Sequence, residues 1–496
     1  MRNACKPIAI HSSTTAGCRR MLGLLLFISV LTLVSATSLA GAQTFTVIGN
    51  FGVHAGEPGF PQFDSLASSR VGIFYGATCG GGTNNQGVVF RFPITGGGTS
   101  VHSFTGTDGS CPNALTLGTD DNYYGTTTEG GVFNYGTFYQ LTPAGTVTIV
   151  YNFTGGSDGG YPVAAPLEAA DGNFYGTTTF GGDAACEGGE CGTIYKISRT
   201  GAFTLLHTFE ESDGVDAVAP LVQASDGRFY GTATQGGIHG AGTVFRISSS
   251  GAFKVLHRFS QFAKGTAPGA PLVQGSDGSL YGTTSRGGQG GFEGDGVIFK
   301  ISPTGVFSVL HGFVIRSDGG QPHSGLVQGN DGNFYGATAY GGAYTHGTLY
   351  RITASGTFTT LHDFDGPTGE YPQTTPVQNA DGVIYGETSI GGTGTFCFQG
   401  TEYGCGVVYG LNLRLPPFVT FLPPQRAGRA GKKIQIFGQG LTGATAVSFN
   451  GTPATFQIVR STFMTATVPE GAKTGYVTVT TPTGVLTSNV PFTVLP

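Results

Sequence analysis

The sequence predicts an all-β protein, a seven-bladed β-propeller closed by its own N-terminal strand and followed by a small β-sandwich. Three observations predict it. One string recurs seven times, at intervals of 49 to 55 residues. Its fourth strand-like run follows only the first six copies, and a run of the same type stands instead at the start of the mature chain. Composition agrees, because 87 glycines, 11% charged residues and no tryptophan, without a Gly-X-Y period, suit many short strands joined by tight turns. After residue 40 no stretch keeps a 3.6-residue apolar period long enough for a helix.

The chain opens on a segment expected to be removed. Arg19 and Arg20 precede a continuous apolar run, 21–34, and Ala40-Gly41-Ala42 forms a small-x-small site of the kind a signal peptidase cuts. Cleavage near Ala42-Gln43 is expected to release a secreted chain, extracellular or held at the cell surface. The apolar run is shorter than the roughly 20 residues that cross a bilayer. No second run of that length follows, so no membrane span is expected in the mature chain. Loss of Arg2, Lys6, Arg19 and Arg20 moves the formal charge from −5 to −9, with 20 basic against 29 acidic residues left. Nucleic acid wants a basic stripe, so that partner class is not expected.

The copy at 219–259 serves as template, with runs at 220–223, 228–233, 242–247 and 252–259. Its Tyr-Gly mark recurs at Tyr75, Tyr124, Tyr175, Tyr230, Tyr281, Tyr335 and Tyr385. A glycine opening an alternating apolar run recurs at Gly87, Gly136, Gly192, Gly242, Gly296, Gly347 and Gly406. The fourth run ends at Phe104, Phe153, Phe209, Phe259, Phe313 and Phe364 and is missing after Gly406. The missing copy matches 44–51, TFTVIGNF, against 357–364, TFTTLHDF. A ring uses that arrangement and removes exposed strand edges; a β-solenoid is the alternative. Asp-Gly at Asp171, Asp226, Asp277, Asp331 and Asp381 predicts type I′ hairpins between the first two strands. Val71-Gly72 and Asp120-Asp121 depart from that rule.

The repeat resembles the GloVer tandem repeats of exported bacterial proteins, on the strength of DGNFYGTT at 171–178 and the string at 242–259. The likeness covers about residues 44–413. It implies export and brings no settled activity. Past a linker marked by Leu415-Pro416-Pro417 and Leu422-Pro423-Pro424, alternating strands are expected at 433–437, 446–450, 463–468 and 476–480. This part resembles the IPT/TIG immunoglobulin-like domain, through IFGQGL at 436–441, VSFNG at 447–451, VPEG at 468–471 and TGYVTV at 474–479. The expected organisation is a signal peptide at 1–42, the propeller at 43–413 and the IPT/TIG domain at 414–496.

Six cysteines remain after cleavage, an even number in an exported chain. Local pairs Cys186–Cys191 and Cys397–Cys405 leave Cys79–Cys111; zinc competes, but no CxxC spacing occurs. In a meander, connections alternate between the two ends of the sheet. All variable inserts, and all six cysteines, therefore fall on one face, which is the expected binding face. Aromatic residues in those inserts, Phe133, Tyr135, Phe292, Tyr340, Tyr344, Phe396, Phe398 and Tyr403, are the candidate ligand-binding groups, for a glycan or a protein partner. Packing of these rings into their own loops is the equal alternative.

His102, His207, His257, His311 and His362 repeat in the fourth strand and read as packed, hydrogen-bonded histidines. Strand alternation sets His257 on the side of Phe253, Val255 and Phe259. Asp108, Asp158, Asp213 and Asp318 read as turn formers, with calcium a weak alternative. An enzyme would draw on Glu129, Glu187, Glu190, Glu293, Asp295, Glu387 and Glu402, with His239, His323 or His346. No nucleophile-elbow, zinc-protease or phosphate-loop motif is present. No catalytic residue, metal ligand or cofactor is assigned, and a monomer is expected. The expected function is a binding or adhesion module. A carbohydrate-active hydrolase or lyase, or a structural envelope protein, are the alternatives.

Overall fold

The computed structural model describes residues 43–51, 66–68, 72–182, 191–260, 264–288, 294–394, 404–421 and 427–495. The expected signal segment lies outside them. The described residues form strands and turns, with no helix.

Seven antiparallel sheets occupy 44–412 among the described residues, numbered here I to VII by the Tyr-Gly copy each contains. Sheet IV runs Val222–Gln223, Phe229–Ala233, Thr243–Ile247 and Phe253–Arg258 in order. Sheet II adds a short edge strand, Ser110–Pro112. In sheet VII the fourth place is taken by Thr44–Asn50, antiparallel to Val407–Asn412, with Thr44 opposite Asn412 and Asn50 opposite Val407. The equivalence reaches single bonds. Phe51 N–H donates to Gly406 O at 3.0 Å, as Phe259 does to Gly242 and Phe364 to Gly347.

The two sequence marks have steric causes. A Cβ on the glycine of Tyr-Gly would run into the aromatic ring of the third strand, as at Gly176 against Tyr195 and Gly231 against Phe245, and the same holds in all seven copies. The glycine opening the third strand has φ between +79° and +100° in every copy, a region that disfavours a side chain. A Cβ there would also meet the second strand's carbonyl, and in five copies the proline of the next connection, as Gly242 meets Pro268.

Two local expectations change. The Asp-Gly hairpins are not type I′. In sheet III, Gly172 N–H donates to Ala169 O and Ala169 N–H to Asn173 O, both at 2.9 Å. Only Gly172 takes positive φ, +81°, so this is a type I turn closed by a left-handed glycine. Asp171 contributes its carboxylate, accepting the Asn173 N–H at 3.1 Å, which is why aspartate suits the place. The second change is in the fourth strand, where a bulge between Val244 and Phe245 in the register breaks the alternation. Phe253 then stacks on His207 of sheet III at 3.8 Å, while His257 stacks on Phe307 of sheet V at 3.9 Å. The two rings thus face opposite neighbours.

Each sheet packs on the next through such rings. Tyr175 lies 4.0 Å from Phe229, Tyr281 4.0 Å from Phe334, and Tyr75 4.1 Å from Tyr123. The last contact in the series joins sheet VII to sheet I, with Tyr385 4.7 Å from Phe74 and one shared core containing Phe51, Phe74, Phe90, Tyr385 and Val408. The arrangement is propeller-like. Residues 418–421 and 427–495 form two further four-stranded sheets and a two-stranded one over one core, with Ile436, Val447, Phe449, Met464 and Val479 at its centre.

Candidate functional site

Connections of the meander divide as expected. The hairpins at the Asp-Gly and Ser/Thr-x-Gly turns lie at one end of the sheets, and the inserts after each second strand, with the sheet-to-sheet connections, lie at the other. A central cavity of about 620 Å³ opens at the second end. Its wall comes from the segments entering the first strands and from the residues ending the second strands. Those end positions carry Cys79, Thr128, Thr179, Thr234 and Ser285, so the wall is small, hydroxyl-rich and apolar between. Asp216 and His323 are the ionisable groups on it, among the described residues.

Towards the hairpin end the same passage continues as a cavity of about 350 Å³, walled by Leu117, Val222, Val273, Val327 and Val377. There Phe421, Asn489 and Val490 of the C-terminal module form the floor. The module is held by Gln439, whose Nε2 donates to the Asp381 carbonyl, and by Phe418, which closes over Gly382. Residues of the C-terminal module therefore lie at one end of the passage, and the connections between sheets lie at the other.

The expected site residues fall in different places. Phe133 and Tyr344 are exposed at loop tips. Tyr135 is half-buried, stacked on Phe180 at 5.6 Å and beside Tyr161. Tyr340 meets Tyr371 edge-on at 5.0 Å. None of these four lines the central cavity. Phe292, Phe396, Phe398 and Tyr403 lie outside the described residues, as do Glu187, Glu190, Glu293 and Glu402. Glu129 and His239 are exposed, and Glu387 is buried in its strand. Asp295 accepts the Ile315 N–H at 2.8 Å, and His346 Nδ1 lies 3.0 Å from Glu370 Oε2. Cys79 and Cys111 are bonded to each other at the cavity rim. Cys191 and Cys405 are also disulfide-bonded, while the expected partners Cys186 and Cys397 lie outside the described residues.

The repeated histidines are latches. His102, His207 and His311 place Nε2 at 2.8, 3.0 and 2.8 Å from Asp108, Asp213 and Asp318, and Tyr151 takes the same role against Asp158 at 2.9 Å. His362 meets Thr368 instead, at 3.2 Å. Sequence reading took these aspartates for turn formers, and missed the pairing because its spacing of six or seven residues crosses a loop. At His257 the corresponding position is Lys264, and burial together with that charge holds the imidazole down at about 4.

A further group escaped the sequence. Cys111, Tyr161, Asp216, Ala267, Gln321 and Tyr371 occupy one equivalent place in six connections, each with φ between +52° and +62°. A left-handed residue other than glycine is uncommon and worth a functional reading. Five of the six precede proline, which was the available signal. The backbone is alike in these six, while five different residue types fill the place.

The fold has known relatives. A solved fungal alcohol oxidase of the AA5 family, in complex with copper, is 14% identical with a TM-score of 0.52, over 92% of this chain and 100% of that one. The extracellular domain of a hybrid two-component system from B. thetaiotaomicron is 10% identical with a TM-score of 0.45, covering 90% of this chain and 57% of that one. A 6-phosphogluconolactonase-like structure from Bacteroides fragilis is 16% identical with a TM-score of 0.44, over 66% of this chain and 89% of that one. At 14% identity the likeness to the oxidase is one of fold. The copper belongs to the oxidase; among the described residues here, no group of three or more His, Cys, Asp or Glu could hold a metal ion. No curated protein sequence matches the chain. The IPT/TIG domain family matches residues 417–494. The Gloeobacter/Verrucomicrobia repeat matches 32–214 and 184–403, and with most of its length so covered the chain belongs to that repeat family.

Proposed function

We propose that the protein is an exported binding module, a closed seven-bladed propeller at 43–413 with an immunoglobulin-like domain at 414–496, that takes a glycan or a protein ligand at its variable-loop face. One observation carries the reading: the passage through the sheets meets the C-terminal module at the hairpin end, and its other end lies on the side of the connections that differ from copy to copy. Uniform hairpins at the first end and individual connections at the other are what a scaffold with one recognition face requires. Export is supported by the apolar leader in the sequence and by disulfide-bonded Cys79, Cys111, Cys191 and Cys405. Among the described residues no helix is long and apolar enough to cross a membrane.

The loop aromatics Phe133 and Tyr344 would frame the opening, with Phe292, Phe396, Phe398 and Tyr403 on neighbouring inserts. A hydrolase at the same face is the second reading. Acid–base hydrolysis of a glycosidic bond uses two carboxyl groups roughly 5–10 Å apart. Asp216 is the one carboxylate on the cavity wall among the described residues, which favours binding over that chemistry. A glycan and polysaccharide array on the mature chain, with product analysis of every hit, tests both. Retained glycan without products supports the module. Shortened products would replace it with the enzyme, and silence on the array would move the ligand to a protein.

A further inference from the structure

Beside the central cavity lies a groove of about 520 Å³ that runs outward across sheets IV, V and VI. The two share Thr234, Ser285 and His323, so one ligand could occupy both. The groove is built from groups the other copies do not have. Immediately after the second strand's hydroxyl position stand Gly80, Glu129, Phe180, Gln235, Arg286, Tyr340 and Ile390 in sheets I to VII, so sheet V alone places a cation there. Arg286 is exposed and has no carboxylate within ion-pair distance among the described residues, whereas Arg199, Arg228 and Lys300 are each paired with an acid.

The surroundings of Arg286 are polar and, among the described residues, carry no compensating acid on the groove wall. His323 is held below the ordinary histidine range by burial and by the Arg286 charge, so it adds a neutral imidazole and no second cation. Gln235 and Gln321 supply amides, and Gln321 is one of the left-handed residues. Among the described residues the hydroxyls of Thr234 and Thr266 have no hydrogen-bond partner, although both oxygens are buried and Thr266 is 3% exposed. An unmatched buried hydroxyl destabilises the fold, and a polar ligand or its bridging water can recover that loss.

We propose that this groove is the anion subsite of the binding face proposed above, and that it takes the carboxylate of an acidic oligosaccharide. The guanidinium of Arg286 matches a carboxylate with two parallel N–H donors, which a single ammonium would not. Adjacent sugar hydroxyls then meet Gln235, Gln321 and His323, and the neutral remainder of the ligand runs into the central cavity along Thr234 and Ser285. The proposal rests on the glycan reading of the binding face.

Calorimetry of the mature chain against three probes tests it: an oligogalacturonate hexamer, the same hexamer methyl-esterified, and the neutral hexamer of cellulose. The acidic hexamer is expected to bind at least tenfold tighter than its ester, and Arg286→Gln is expected to remove that preference. Arg286→Lys is expected to restore it only in part. Sulfated oligosaccharide in place of the hexamer decides which anion is meant; tighter binding of the sulfate would overturn the carboxylate assignment. Equal affinity for acid and ester, or an acid preference that survives Arg286→Gln, overturns the subsite while leaving a glycan-binding face in place. No binding of any probe, together with a blank glycan array, would remove both readings.

Discussion

At the scale of single residues, the repeat is a set of paired side chains. The tyrosine of Tyr-Gly donates its hydroxyl to the turn aspartate four residues back, at 2.7–2.8 Å, in Tyr124, Tyr175, Tyr230, Tyr281, Tyr335 and Tyr385. Burial and the aspartate push the phenols of Tyr124 and Tyr230 up to about 12, so they remain donors at any ordinary pH. Tyr335→Phe keeps the buried ring and deletes one hydrogen bond to a partly exposed carboxylate. It should cost about 1–2 kcal/mol in urea unfolding, and a change near zero would mean that water replaces the bond freely.

His257 supplies a pH test. Its folded pKa lies below the ordinary 6.5, at about 4. Above pH 6.5 neither folded nor unfolded chain protonates it, and it contributes nothing to the pH slope. Between 6.5 and 4 the unfolded chain takes up a proton that the folded chain refuses, so stability falls with pH. His323 and His362 are shifted the same way and add to the slope. His257→Phe, which can keep the stack on Phe307, should flatten part of the loss between pH 6.5 and 4. A parallel pair of stability curves would contradict this.

At the scale of elements, the sequence was most informative where sterics are local. Tyr-Gly and the strand-opening glycine could be counted because no other residue fits. The bulge was not legible, since it arises from how the fourth strand meets two neighbouring sheets, and sequence periodicity describes one strand at a time. Nor was the glutamine ladder. Gln223, Gln274, Gln328 and Gln378 each accept a backbone N–H from the preceding sheet's turn at 2.9–3.0 Å, a contact made about fifty residues away along the chain. The candidate site was legible only as a face. Which of its aromatics are packed, as Tyr135 is, depends on glycines of the adjoining connection, Gly155 and Gly160, that lie against its ring.

The N-terminal strand carries the clearest element-scale prediction. Phe45 stacks on His362 at 3.6 Å, the place that Phe358 fills against His311 and Phe307 against His257. Phe45→Ala should therefore destabilise by about 2–3 kcal/mol, since it removes a half-buried ring packed against the core, despite lying near one end of the described residues. A loss under about 0.5 kcal/mol, the range of ordinary surface changes, would mean that the strand is an ornament to a sheet stable without it.

At the scale of the whole molecule, the C-terminal module is placed to do more than separate the propeller-like part from a partner. Phe421 and Val490 cover an apolar wall made of Leu117, Val222, Val273, Val327 and Val377, residues that water would otherwise reach from the hairpin end. Each such side chain left wet forfeits roughly 1.5–3 kcal/mol if its burial is complete, and part of that if not. A chain ended after residue 413 should unfold at lower temperature and bind an apolar dye that the full chain excludes. The opposite end should be untouched by the truncation, because among the described residues the central cavity's wall contains none of the module. Affinity for any ligand of the variable face should then stay within about threefold of the full chain, well under the tenfold that 1.4 kcal/mol represents. A larger loss would mean that the ligand reaches through the passage to the module itself, and the floor would have to be counted as part of the site.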